Sequence, residues 1–231
     1  MANCNEIKNL EIYKYIRVKN LLSLLMMPQK ITQYIIYGVV ISVGLISVAL
    51  GFDEVTLGIH SRNSTSTDVF FAFFTHWGEW PIISIAILTA LWKYGWKNGL
   101  FWGIAFAAEG LIITGLKLLF NKPRPVERLT DFIRQIDGVE LAHWKSFPSG
   151  HTAAVFFGTL MLIKFNRESR INYPVIRVIL LIAAFLVGYS RIYLGQHHIE
   201  DVVVGSLLGL WLFQLSEIIL NQRTSAKNEK T

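Results

Sequence analysis

Cysteine is nearly absent from this 231-residue chain, where Cys4 stands alone. One thiol excludes an intrachain disulfide framework, and Cys4 lacks the preceding apolar stretch that a lipoprotein or secretory signal would need. Charge is scarce too: 16% of residues are Asp, Glu, Lys or Arg, against 52% hydrophobic, and the mean hydropathy is +0.42. That balance excludes an ordinary soluble domain that must keep a wet surface. No basic stripe interleaved with aromatics occurs, so the net charge of +6 and the pI near 9.4 do not mark a nucleic-acid binder. Internal repeats and low-complexity tracts are missing as well. An anionic membrane surface or an anionic substrate is left to explain the basic excess.

Long apolar runs are what the chain does have, at residues 34–50, 81–91, 99–116, 152–163, 175–189 and 202–220. A crossing takes roughly 20 apolar residues, so the second and fourth runs are short. The second is extended backward by VFFAFF at 69–74, with HWGEWP as a break between an interfacial helix and a short crossing; the fourth lengthens if it starts at Ser149. The expected fold is all-α, a polytopic bundle of six transmembrane helices over residues 34–220. A cytoplasmic or interfacial segment, 1–33, precedes it, and a fraying cytoplasmic tail, 221–231, follows. Within the first segment LLSLLMMP at 21–28 is too short to cross and is expected to lie along the inner interface.

Orientation follows from Lys and Arg, which stay on the cytoplasmic side. Lys8, Lys14, Arg17, Lys19 and Lys30, then Lys93 and Lys97, then Lys164, Arg167 and Arg170, and finally Arg223, Lys227 and Lys230 share one side if six helices cross. Both termini are then cytoplasmic. The other face holds Asp53, Glu54, Asp68 and Glu79, together with a basic loop at 121–147 that breaks the charge rule. Trp92, Trp96 and Trp102 fall at the inner boundary and Trp77, Trp80 and Trp144 at the outer, where amphipathic rings favour headgroup depth.

In this topology three polar clusters meet at one face: KLLFNKPRP (117–125) ending the third helix, PSGH (148–151) opening the fourth, and SRIYLGQHHIED (190–201) between the fifth and sixth. PSGH at the start of an apolar helix offers unpaired backbone N–H groups at the positive end of the helix dipole, a ready anion site, and Ser149 adds a hydroxyl. Lys117, Arg124 and Arg191 supply three cations whose geometry suits phosphate oxygens. His197 and Asp201 are one helical turn apart, so the carboxylate holds one imidazole nitrogen and leaves the other free to attack; His151 faces them as a proton donor.

The three patterns resemble the type 2 phosphatidic acid phosphatase superfamily of integral membrane lipid phosphatases. The match rests on Lys117, Arg124 and Pro125; Pro148, Ser149, Gly150 and His151; and Ser190, Arg191, His197 and Asp201, in order and with their spacing intact. The resemblance implies metal-independent phosphate ester hydrolysis through a phosphohistidine, with no cofactor. By it, His197 is the nucleophile, Asp201 orients it, and His151 protonates the leaving oxygen and then activates water. Lys117, Arg124, Ser149, the Gly150 amide and Arg191 hold the phosphoryl oxygens. A zinc site from His151, His197, His198 and Asp201 is disfavoured because the three cations would repel a metal ion.

The implied partners are a phosphorylated lipid and the surrounding membrane lipids. The implied location is a bacterial inner membrane, with the site facing the periplasm or outside. Phosphatidylglycerophosphate, undecaprenyl diphosphate, phosphatidic acid and lipid A phosphates all stay open as substrates. A lipid phosphotransferase or a non-hydrolytic lipid carrier with the same cradle is the alternative.

Other residues take plainer expectations. His198 is structural; Glu109, mid-span, hydrogen-bonds to a neighbouring helix, with lining a substrate path as the alternative; Lys122, Arg128, Arg134 and Lys145 are solvated loop charges, with contact to a lipid headgroup as the alternative for any of them. Gly103, Gly110 and Gly115, like Gly205 and Gly209, mark close packing. Arg177 snorkels to the inner surface.

Overall fold

The computed structural model describes residues 29–62, 64–78, 80–166 and 173–228, and among these there is helix and loop but no strand. Nine α-helices follow in the described residues: α1 Gln29–Leu50, α2 Phe52–His60, α3 Thr65–Phe74, α4 Trp80–Tyr94, α5 Trp96–Phe120, α6 Pro125–Arg128, α7 Gly150–Asn166, α8 Tyr173–Tyr193 and α9 Ile199–Asn228. The expected break near residue 75 is a 3-10 turn, Thr75–Gly78, between α3 and α4. The interfacial segment at 21–28, the cations before Gln29, and Glu79, Arg167, Arg170 and Lys230 lie outside the described residues.

Among the described residues, five helical stretches are long and apolar enough to cross a membrane: Lys30–Leu50, Thr65–Tyr94, Trp96–Arg128, Pro174–Tyr193 and Ile199–Gln222. The expected fourth crossing, α7, has only 17 residues, and 13 of them are buried. It is the post around which α4, α5, α8 and α9 pack. Hydropathy alone does not separate such a buried helix from a lipid-facing one. The outer helices instead turn side chains such as Leu45, Val48, Leu111 and Leu119 outward, an apolar surface suited to lipid.

Gly205 and Gly209 set how closely α9 approaches α7. A Cβ on Gly205 would stand 2.5 Å from the Ser149 carbonyl oxygen, and one on Gly209 would stand 2.2 Å from that of Ala153. Any side chain there pushes α9 away, and with it the start of the helix that carries Asp201. Gly103, Gly110 and Gly115 are different: nothing lies within 4 Å of their would-be Cβ atoms, so the close packing expected of them is absent.

Two further expectations are corrected. Trp102 does not turn its ring toward headgroups but into the core, 1% exposed and stacked on Phe213 with ring centroids 5.5 Å apart. Arg177 does not snorkel; it is buried and donates from Nη1 to Thr32 Oγ1 at 3.0 Å, tying α8 to α1. The last helix continues past Asn221 to Asn228, since QRTSAKN contains neither Gly nor Pro to stop it.

Candidate active site

Each polar cluster sits where a helix starts or stops. α5 ends when Asn121 adopts the left-handed conformation (φ 37°), leaving Lys117 in its last turn. The chain then runs through Lys122 and Arg124 and folds back on itself. The Arg124 N–H donates to the His143 carbonyl at 2.8 Å, and the Ser146 N–H to the Lys122 carbonyl at 2.9 Å. That return delivers Pro148, Ser149 and Gly150 to the start of α7. At the far side, Gly195 (φ 68°) reverses the chain between α8 and α9, and a Cβ there would stand 3.1 Å from Ile133. The Gln196 and His197 N–H groups both donate to the Arg191 carbonyl, at 3.0 and 3.1 Å, which fixes the turn.

Asp201, fully buried, is the hub. Its Oδ1 accepts from Lys122 Nζ at 2.7 Å. Its Oδ2 accepts from the His198 N–H at 3.0 Å and from the Ser146 hydroxyl, and lies 3.5 Å from His197 Nδ1. Its backbone carbonyl accepts the Ser149 N–H at 3.0 Å. One residue thus joins the histidine to the opening of α7. At 3.5 Å the His197 contact is longer than an ordinary hydrogen bond; the Ser146 hydroxyl, which donates to Asp201 Oδ2, also lies 3.5 Å from Nδ1.

His197 is 1% exposed. Burial foremost, with Arg124 and Arg191 nearby, pushes its imidazole down to about 3 against the opposing pull of Asp201. The ring is therefore neutral at physiological pH and keeps a lone pair for attack. His198 is lowered by burial as well. Its ring nitrogens have no hydrogen-bond partner, and Nδ1 lies 3.6 Å from Asp53.

Lys117, Gly150 and His151 line one cavity of about 300 Å³ between α5 and α7. His197, Arg124 and Arg191 do not line it; His197 stands against Asp201 with the two guanidinium groups nearby, and Asp201 holds the N–H of Ser149, the neighbour of the cavity's Gly150. Arg124 is partly spent on the fold. Its Nη1 donates to the Gln196 carbonyl and Oε1 at 3.0 and 2.8 Å, and its Nε to the Trp144 carbonyl at 3.1 Å; Nη2 has no partner among the described residues. Arg191 donates from Nη1 to Thr75 Oγ1 at 2.7 Å. Ser149 is buried, with its Oγ 2.8 Å from Thr152 Oγ1. Among the described residues no group of three or more His, Cys, Asp or Glu is placed to hold a metal ion.

Two of the loop charges read as solvated, Arg134 and Lys122, are tied into the fold instead. Arg134 forms a two-pronged pair with Asp68 at 2.7 and 2.8 Å, and Tyr193 donates to the same carboxylate. His60, absent from the sequence reading, buckles the loop to the turn. Its Nδ1 donates to the Tyr193 carbonyl at 2.8 Å and its Nε2 accepts the Arg134 N–H at 3.0 Å, so it is neutral, in keeping with a pKa lowered by burial. Arg128 pairs with Asp53 at 2.9 Å; Lys145 remains exposed. Ser146 was also missed; its proximity to PSGH was the available signal.

Lys122 bridges Glu200 and Asp201 at 2.6 and 2.7 Å, which makes it a positioning residue for the His197–Asp201 pair. Lys122→Met leaves a buried carboxylate oxygen unpaired. We expect kcat for phosphate release to fall about ten- to a hundredfold with little change in KM, and Lys122→Arg to recover most of it. A drop in KM alone, or no rescue by arginine, would contradict the assignment.

Residues 98–225 match the PAP2 superfamily. The chain is 31% identical over 180 residues to the undecaprenyl-diphosphatase BcrC of Bacillus subtilis, an alignment covering 72% of this chain and 84% of that one. The crystal structure of Aquifex aeolicus LpxE superposes with a TM-score of 0.54 at 31% identity, over 71% of this chain and 92% of that one. The fold also resembles a transmembrane PAP2-type phosphatidylglycerolphosphate phosphatase from Bacillus subtilis, with a TM-score of 0.63 at 23% identity, over 85% and 98%.

Proposed function

The chain belongs to the PAP2 superfamily and is a lipid phosphatase, and from that premise we propose that it hydrolyses a phosphate monoester or diphosphate of an amphiphilic lipid through a phosphohistidine on His197. The observation that carries this reading is the double role of Asp201. Its side chain braces His197 and its carbonyl holds the Ser149 N–H, so nucleophile and anion cradle are set by one buried residue.

In the first half-reaction the free nitrogen of neutral His197 attacks phosphorus. The bond to the lipid oxygen breaks, and His151 gives that oxygen a proton. In the second, His151 takes a proton from water, the water oxygen attacks phosphorus, and the P–N bond returns its electron pair to His197. Lipid alcohol, or lipid monophosphate from a diphosphate, leaves first and inorganic phosphate second. Lys117, Arg124 Nη2, Ser149, the Gly150 amide and Arg191 offset the charge on the phosphoryl oxygens; each such preorganised donor contributes about 2.7 to 4 kcal/mol to the transition state. The cycle uses no metal.

The same reading places α7 as a sixth crossing within a membrane domain over 34–220, with both termini in the cytoplasm and the site at the outer face of a bacterial inner membrane. The supporting observation is that Lys93, Lys97 and Lys164, in the terminal turns of α4, α5 and α7, lie at the opposite helix ends from Lys117, Ser149 and His197.

Two measurements test the proposal. Purified protein in detergent with a chelator should release inorganic phosphate from at least one of phosphatidate, phosphatidylglycerophosphate and undecaprenyl diphosphate. No release, or a phosphorylated acceptor lipid in its place, would contradict hydrolysis. For sidedness, Cys4→Ser removes the one natural thiol. In that background an impermeant maleimide should label Ala142→Cys on intact cells, and Lys97→Cys only after permeabilisation; the reverse pattern would overturn the orientation.

A further inference from the structure

Gln196 stands in the turn between α8 and α9, one residue before His197, and is 6% exposed. Each of its polar atoms is used. Its N–H donates to the Arg191 carbonyl at 3.0 Å, and its Nε2 donates to the Glu140 carbonyl at 2.7 Å. Its own carbonyl and its Oε1 both accept from Arg124 Nη1, at 3.0 and 2.8 Å. With the Trp144 carbonyl on Nε at 3.1 Å, three neutral oxygens hold this guanidinium, and Nη2 is the nitrogen left over.

The neutrality of those oxygens sets Arg124 apart from the paired cations of the same loop. Arg134 pairs with Asp68, Arg128 with Asp53, and Lys122 with Glu200 and Asp201, at 2.6 to 2.9 Å. A carboxylate at that distance fixes a cation but offsets its charge. An amide or peptide oxygen fixes it through a charge-assisted hydrogen bond and leaves the charge in place. Among the described residues no carboxylate pairs with Arg124 or Lys117. Asp201, whose charge reaches Arg124, is already bound to Lys122. Glu109 shares a cavity with Lys117 but pairs with no cation, and its Oε1 has no partner, so the inter-helix bond expected of it is not made. Two of the three oxygens on Arg124 belong to the backbone, which leaves the Gln196 amide as the part of the clamp that the choice of side chain supplies.

We propose that Gln196 is a positioning residue for phosphate binding, whose amide oxygen fixes Arg124 without offsetting its charge and so keeps Nη2 for the phosphoryl group bound beside His197. The inference rests on the phosphatase reading and extends its machinery to a residue that touches no substrate. Preorganised donors act because they need no reorientation as charge develops; a guanidinium released from Oε1 has to be ordered again at each encounter.

The test is a double-mutant cycle on purified full-length protein in detergent, read as kcat/KM for phosphate release and as the inhibition constant of vanadate. Gln196→Leu should lower kcat/KM about tenfold and weaken vanadate by a similar factor. In an Arg124→Met background the same substitution should cost less than about twofold, because the group it acts through is gone. Equal losses in both backgrounds, the mark of a residue that only shapes the turn, overturn the assignment, as does no loss in the first. Gln196→Asn, which draws the amide back by one methylene and keeps the position polar, runs the same cycle if the leucine variant does not fold. Gln196→Glu keeps an acceptor for Arg124 but sets a negative charge against it, and should weaken vanadate at least as much as leucine does; vanadate binding at the wild-type level there contradicts the role of neutrality. No phosphate release by the wild type from any lipid phosphate sinks the phosphatase reading beneath, whereas a wild type that turns over with additive losses sinks Gln196 alone.

Discussion

His197→Ala is expected to lower phosphate release by about ten-thousandfold or more, with protein yield and thermal unfolding close to wild type. The reasoning starts from burial. Loss of water together with two nearby guanidinium groups holds the imidazole neutral, and a neutral ring is a nucleophile at once, with no proton to shed. Ser146 and Asp201 fix the Nδ1 edge, so the other nitrogen is the one that attacks. Alanine removes that lone pair, and with it the covalent step on which both half-reactions depend. The variant should still bind phosphate analogues, because Lys117, Arg191 and the start of α7 are untouched. Vanadate binding measured by calorimetry should therefore persist while turnover vanishes. Turnover within tenfold of wild type would remove His197 from the chemistry.

His151→Ala should show the second largest loss, about a hundred- to ten-thousandfold on an alkyl phosphate. Two duties are assigned to this side chain, and they separate experimentally. With an aryl phosphate the departing oxygen needs no proton, so the first half-reaction should proceed and release a burst of phenol equal to the enzyme present. Turnover should then stall, because no base activates water against the phosphoenzyme. Equal losses on both substrates without a burst would assign His151 to holding the cavity it lines with Lys117 and Gly150 rather than to proton transfer.

What the chain itself discloses depends on the kind of signal. Lys117, Arg124, Arg191, His151, His197 and Asp201 are conspicuous because charge in an apolar chain has no cheap explanation. Their convergence followed from placing helix ends, and the Asp201 cluster and the adjoining cavity bring those ends together. Ser146 and Lys122 were invisible for the opposite reason: a serine and a lysine in a basic loop look solvated until the loop is seen to fold back onto α9. Trp102 and Arg177 were misplaced because position along a helix gives depth but not which side faces the core. α7 shows the same limit, since a run of apolar residues is equally at home in lipid and among other helices. Gly205 and Gly209 were legible as close-packing positions, yet Gly110 is not one; it borders the cavity that reaches Glu109.

The most direct test of the phosphohistidine is to trap it. Enzyme mixed with lipid substrate radiolabelled in its phosphate, and quenched in base within a turnover, should carry an acid-labile, base-stable label on the peptide containing His197, and none in His197→Ala. Label on another residue, or turnover with no labelled protein at any quench time, would contradict covalent catalysis by this histidine.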